Sequence, residues 1–191
     1  MNAIERELSQ IPHFQFIHDH LFSSGHPSAA QLAQIKAYGV DTVINLAICE
    51  AQPDGLQQDQ QCIELGLNYI QVPIDFEQPA IDQCLLVLDL IQHLARDKML
   101  WIHCKDNQRA SCLMYLYRQY CMQIDMPTAQ AYLHEIWEPN NTWTGLMHGV
   151  ALQLQGRQAT QDLEQSLLQA QLSDDDLTAP SPTPESPLDD Q

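Results

Sequence analysis

MLWIHCKDNQRASC, residues 99–112, is the stretch from which the rest of the chain can be read. Its first part, MLWIH, is an apolar run of strand length. From Gln108 onward, QRASCLMYLYRQYCMQ has helical spacing. Cys104 therefore ends a strand, and Arg109 opens the helix that follows. Open parallel sheets bind ligands at the carboxyl ends of their strands, where the next helix begins. Free amides in that first helical turn, together with the positive helix end, form a cradle for an anion. The same features make Cys104 a stronger nucleophile than an ordinary surface cysteine. Arg109 adds a planar fork that matches phosphate oxygens. The loop has no glycine, so Asn107 is its best candidate for a left-handed backbone. A lone cysteine in apolar surroundings is usually a core thiol. Here a cysteine, a loop and an arginine coincide at one strand-to-helix junction, which favours a site.

Strands and helices alternate around this unit. FQFI and HLFSSG read as short strands flanking His18-Asp19. SAAQLAQIKAYG is a helix with Ser28 as its cap and Gly39 as its stop. DTVINLAI is a β-branched run of the kind found in buried parallel strands. LQQDQQCIELG reads as helix, NYIQVPI as strand, and PAIDQCLLVLDLIQHLA as a long amphipathic helix. PTAQAYLHEIWE is helical again. The expectation is an α/β fold with a central, mainly parallel sheet flanked by helices on both faces.

Charge and composition narrow the functions available. The 191 residues carry 25 acids against 8 lysines and arginines, a formal charge of -17. That balance disfavours nucleic acid and anionic membrane as partners, since both need a basic surface. No apolar run reaches membrane-span length, and MNAIERELSQIPHF lacks the pattern of a signal peptide. The six cysteines show no C-x-x-C pairing, so reduced thiols in a cytoplasm are expected. His18, His20 and His26 do not make a convincing metal set, and neither a metal nor another cofactor is expected. Residues 1–155 read as the α/β domain and 156–172 as a C-terminal helix. Residues 173–191, rich in acids and prolines, read as a disordered tail.

HCKDNQRAS resembles the His-Cys-x5-Arg-Ser/Thr signature of cysteine-dependent protein tyrosine and dual-specificity phosphatases. LFSSGHPSAAQLAQIKAYGVDTVINLA, YIQVPIDFEQP and IWEPNNTW extend the resemblance to the bacterial phosphatase-like branch, including domains joined to β-lactamase-like hydrolases. It covers about residues 14 to 143. The resemblance implies a phosphomonoesterase acting on a phosphorylated protein or a small phosphoester through a phosphocysteine. Cys104 would be the nucleophile, Arg109 the anion ligand and Asp75 the acid, with Asp82 as a fallback. His103, Lys105, Asp106, Asn107, Gln108 and Ser111 would bind substrate, Ser111 by bonding the thiolate. Ser111 has a plainer alternative in bonding its own helix backbone.

One departure stands out. Only KDNQ lies between Cys104 and Arg109, one residue fewer than the signature. A deletion displaces the arginine's origin by about 3.8 Å, whereas an ungapped match keeps Ser111 but puts Ala110 in the arginine's place. The first is preferred, because a long side chain can absorb the shift and alanine cannot hold phosphate. The shorter loop also resembles rhodanese-type sulfurtransferases, which leaves a persulfide chemistry open. A non-catalytic module binding phosphate or phosphoprotein is the third reading.

Overall fold

A computed structural model describes residues 3–48 and 57–177. Cys49 lies outside the described residues, as do residues 178–191 of the expected tail. Five strands form one sheet in the order β1-β2-β5-β3-β4. They are β1 (Gln15–His18), β2 (Leu21–Ser24), β3 (Thr42–Asn45), β4 (Asn68–Gln71) and β5 (Leu100–His103). The strands β2, β5, β3 and β4 run parallel, and β1 pairs antiparallel with β2 at one edge. Mixed α/β architecture with a mostly parallel sheet is what the strand-helix alternation predicts.

The sheet's register explains why β5 is central. Phe22, Trp101, Val43 and Tyr69 lie opposite one another across β2, β5, β3 and β4. Alternate residues face opposite sides, so this row belongs to one face. It packs with Leu8 of α1 (Ala3–Leu8), Leu32 and Ile35 of α2 (Ala29–Tyr38), and Cys62 of α3 (Gln58–Glu64). Leu100, Ile102 and Ile44 occupy the opposite face, where α5 (Gln108–Tyr120) packs on β2 and α4 (Ile81–Leu94) on α5. All four residues of β5 are buried, as are those of β3. Strands covered on both faces are largely apolar and rich in β-branched residues, as LWI and TVI are. At the far edge, β4 exposes Asn68 and Gln71 to water, polar side chains that suit an edge strand.

Local signals behave as their chemistry requires. Ser28 caps α2 in a reciprocal box with Gln31, and Gly39 ends the helix at φ 112°, where a Cβ would be strained. Asp125 caps α6 (Met126–His134) by accepting from the Thr128 amide. Beyond α6 comes α7 (Asn141–Leu177), a single helix of 37 residues. The sequence-based boundary between 155 and 156 falls inside it, and the helix continues past Ser173 to Leu177. The chain forms two compact units, Met1–Leu152 and Gln153–Gln191. Within the second, side chains of α7 through residue 169 are almost all exposed. Among the described residues, no helix is long and apolar enough to cross a membrane.

Candidate active site

β5 delivers His103 and Cys104 to the carboxyl edge of the sheet, and four residues later α5 begins. The turn depends on Asn107, which sits at φ 60°, ψ 2°. That left-handed conformation is the one asparagine tolerates better than other non-glycine residues. Its side chain holds the turn in place. Asn107 Nδ2 donates to the His13 carbonyl at 2.7 Å and to Ser23 Oγ at 3.2 Å. The outer half of the loop is fixed from β2. The His26 amide donates to the Lys105 carbonyl at 2.9 Å, and Gly25 bridges to Asp106. A Cβ on Gly25 would sit 3.0 Å from the Pro12 carbonyl oxygen and 3.1 Å from that of Lys105. A side chain there would press on both backbone oxygens and push them back by a few tenths of an ångström, so glycine suits this close approach.

Cys104 is 1% exposed at the base of this loop, while Lys105 and Asp106 reach solvent. The amides at the start of α5 precede the helix's own hydrogen-bond ladder, whose first member here joins the Ser111 amide to the Asn107 carbonyl. Ser111 Oγ donates to the Gln108 carbonyl at 2.9 Å, the plainer of its two expected roles. Gln108 and Arg109 are half-buried in the first helical turn. Arg109 Nε is buried and has no hydrogen-bond partner. A buried guanidinium donor left unpaired costs stability, so its presence in the first turn after the Cys104 loop is chemically informative.

His103 is fully buried beneath the loop. Its Nδ1 contacts the Cys104 carbonyl at 3.4 Å; a carbonyl can only accept, so the proton belongs on Nδ1. Nε2 has no partner. Burial first, and the neighbouring His26 second, hold its pKa down to about 3. The His26 ring stands edge-on at 5.3 Å between centroids. His103 is thus a neutral structural prop. In an unfolded chain its pKa is about 6.5, so between pH 6.5 and 3 the unfolded state binds a proton that the native state refuses. This contribution to stability is complete above pH 6.5 and is lost as pH falls towards 3. Replacing His103 with Asn, which can still donate to the Cys104 carbonyl, should flatten the fall in thermal midpoint between pH 7 and pH 5. An unchanged slope would remove His103 as its cause.

Asp75 follows β4 on an exposed turn, and its Oδ1 accepts from the amides of Glu77 and Gln78 at 2.8 and 3.1 Å. Asp82 lies exposed in the first turn of α4. The next residue, Phe76, ties the Asp75 turn to the loop, a link the sequence did not disclose. The Arg109 guanidinium carbon lies 5.6 Å from the Phe76 ring centroid. Phe76 also contacts Trp137 and Trp143, each at 5.7 Å, and its carbonyl accepts from Trp143 Nε1 at 3.0 Å. IWEPNNTW thus supplies packing anchors in its two tryptophans. It also fixes the residue that touches the arginine.

No family model matches the sequence, and no curated protein does. Solved structures do. A DUF442 protein of Shewanella putrefaciens CN-32, described as a phosphatase, superposes with a TM-score of 0.68 at 25% identity, covering 78% of this chain and 97% of its own. The fold is that of the protein tyrosine and dual-specificity phosphatases. Other phosphatase structures agree at lower identity. TpbA of P. aeruginosa, solved with phosphotyrosine, matches at 17% identity and TM-score 0.58, over 74% of this chain and 90% of its own. The catalytic domain of the S. cerevisiae PP-IP phosphatase SIW14, solved with citrate, matches at 13% and 0.60, over 72% and 85%. These two add support for the phosphatase fold alone.

Proposed function

We propose that this protein is a cysteine-dependent phosphatase that hydrolyses phosphomonoesters of the protein tyrosine or dual-specificity type. The observation that carries the reading is the buried, unpartnered Arg109 Nε in the first turn of the helix that follows Cys104. An oxyanion in the Cys104–Asn107 loop would satisfy that donor and the free amides of the same turn together.

In the proposed reaction Cys104 Sγ attacks phosphorus as the bond to the leaving oxygen breaks. Asp75 gives that oxygen a proton. The Asp75 carboxylate then takes a proton from water as the water attacks the phosphocysteine, the S–P bond breaks, and phosphate leaves with the thiolate restored. Arg109 and the loop amides bind the three non-bridging oxygens throughout. Lys105, Asp106, Asn107 and Gln108 shape the loop. His103 supports it from beneath, and Ser111 holds the first turn of α5. The reaction needs no metal. Residues 1–155 form the catalytic domain in this reading, and the expected setting is cytoplasmic.

The shorter spacing is compatible with this chemistry. Asn107 takes the left-handed position itself, so α5 starts at once and Arg109 is its second residue. The arginine is steadied by Phe76. A sulfurtransferase would share the tight loop but would leave the Asp75 turn, anchored by two tryptophans, without a task. Highly anionic substrates are disfavoured, because Lys105 and Arg109 are the loop's only formal cations and the chain carries -17 overall.

Arg109→Ala tests the anchor. Phosphate, sulfate or vanadate should raise the thermal midpoint of the wild-type chain, since ligands that bind only the native state stabilise it. Arg109→Ala should lose most of that protection, and turnover should fall by roughly 10²- to 10³-fold, the effect of deleting one preorganised donor. Protection equal to wild type would show that the gapped alignment is wrong. Phe76→Ala is a milder version of the same test. It should lower kcat by up to about 10²-fold through misplacement of Arg109 and the Asp75 turn, whereas Phe76→Tyr should retain most activity. Equal kcat in both variants would dismiss the coupling.

A further inference from the structure

Asn45 ends β3, a strand buried on both faces, and is itself 3% exposed. Its Oδ1 accepts from the Ala47 amide at 2.8 Å and so closes a turn over Leu46. Its Nδ2 donates to Gln58 Oε1, at the start of α3, at 3.0 Å and to the Tyr69 hydroxyl of β4 at 2.9 Å. Both N–H groups of the amide are thereby used. Apolar groups of the same shape in place of such a network can be equally stable. Stability alone therefore does not account for an amide at this position.

The network holds the peptide of Leu46. The Leu46 amide donates to the His103 carbonyl at 2.8 Å, and the Leu46 carbonyl accepts from the Ile74 amide at 3.1 Å. His103 immediately precedes Cys104, and Ile74 immediately precedes Asp75. One buried residue is thus bonded to the backbone beside the proposed nucleophile and to the backbone beside the proposed acid. The Asn45 carbonyl braces the second arm by accepting from the Val72 amide at 3.0 Å. The carboxylate of Asp75 bonds locally, to the amides of Glu77 and Gln78, and those bonds do not tie it to β5.

We infer that Asn45 is a positioning residue for the proposed reaction: by shaping the turn at Leu46 it sets the separation of Cys104 and Asp75. The inference rests on the reading of those two residues as nucleophile and acid. The side-chain bonds of Asn45 go to Ala47, Gln58 and Tyr69, so its effect on the reaction passes through the Leu46 peptide. Proton transfer requires Asp75 to lie within hydrogen-bond reach of the leaving oxygen. A shift of Asp75 relative to Cys104 weakens that step. Oxyanion binding, supplied by the Cys104 loop and Arg109, is left in place.

Asn45→Ala and Asp75→Asn, made singly and together in the full chain, provide the test. Asn45→Ala should lower kcat for alkyl phosphates by roughly 10- to 10²-fold, the scale of a misplacement of about 1 Å. KM and thermal protection by vanadate should stay near wild type. The loss should shrink for aryl phosphates with good leaving groups. In the Asp75→Asn background it should nearly vanish, because the group whose placement it serves is gone. Asn45→Ser keeps an acceptor for the Ala47 amide in a weaker form of the same turn. It should recover part of the activity, and it carries the test if Asn45→Ala does not fold. Hydrogen exchange reads the link without turnover: the Leu46 and Ile74 amides should exchange roughly 2- to 10-fold faster relative to those of β2, the scale of one hydrogen bond.

Wild-type kcat in every folded variant at Asn45, or unchanged exchange at Leu46 and Ile74, would overturn the inference. An equal fold-loss in the Asp75→Asn background would also overturn it, leaving Asn45 a contributor to stability alone and the acid assignment untouched. An Asp75→Asn enzyme as active as wild type would instead remove the acid assignment, and this inference with it.

Discussion

Cys104→Ser should reduce aryl-phosphate turnover to background while leaving phosphate binding intact. Removing the nucleophile of a covalent mechanism costs on the order of 10⁶-fold in a well-studied protease, and among the described residues neither thiol near Cys104 offers a substitute. The neighbouring thiol Cys112 is 0% exposed, and burial raises its pKa beyond any useful range, with Trp137 opposing only in part. Cys84 is also buried, its pKa pushed up to about 12 by burial and then by Asp82. Neither can act as a thiolate at neutral pH. The serine hydroxyl is smaller than the thiol and lies at the loop's base, so the amides and Arg109 keep their positions. Thermal protection by vanadate or phosphate should therefore persist. A buried hydroxyl short of a partner would cost about 1–3 kcal/mol of stability, which is readable in the same scan. Residual turnover above background in pure Cys104→Ser would exclude Cys104 as nucleophile. Loss of both turnover and oxyanion protection, with the fold retained, would mean that the thiol shapes the cradle as well as reacting in it.

The parts of this molecule that could be read in the sequence are those set by local chemistry. TVI and LWI read as strands because strands buried on both sheet faces are largely apolar, and β-branching suits the pleat. Ser28 and Gly39 mark helix ends because the side chain of one, and the lack of one in the other, satisfy end groups within three or four residues. Asn107 could be singled out for a similar reason, since few other residues accept φ 60°. Contacts between distant segments were harder to see. In IDFEQP, Phe76 reads as one aromatic in a polar turn; its partners Trp137 and Trp143 are more than sixty residues away, and Arg109 more than thirty. Arg118 is likewise fixed by a contact outside its own helix. It is 2% exposed, stacked 4.4 Å from the Tyr132 ring, and its pKa is lowered by burial. Helix α7 is set by local propensity as well. Gln, Leu and Ala are good helix formers, and no proline falls between Pro139 and Pro180, so the helix runs through Gly156 and past Ser173 to Leu177.

The largest effect that also discriminates between chemistries belongs to Asp75. Expulsion of an alkoxide or phenoxide needs a proton, and a positioned acid contributes about 10² to 10⁴ in rate. Asp75→Asn should lower turnover of poor leaving groups by that order. The substitution is well suited to the site, because Asn Oδ1 can accept from the Glu77 and Gln78 amides as the carboxylate does. The turn, and with it Phe76 against Arg109, should keep its shape, so oxyanion protection should match wild type. The loss should shrink as the leaving group becomes a more stable anion, since that group needs less help from a proton. A persulfide transfer has no comparable step. It expels sulfite or delivers sulfur to a thiolate, and Asp75→Asn would leave it unchanged. Full activity of the variant towards poor leaving groups would move the acid role elsewhere, with Asp82 the next carboxylate to test. Thiosulfate:cyanide activity in a wild-type protein devoid of phosphatase activity would instead assign the Cys104 loop to sulfur, and the two tryptophans behind Phe76 would then serve the loop's shape alone.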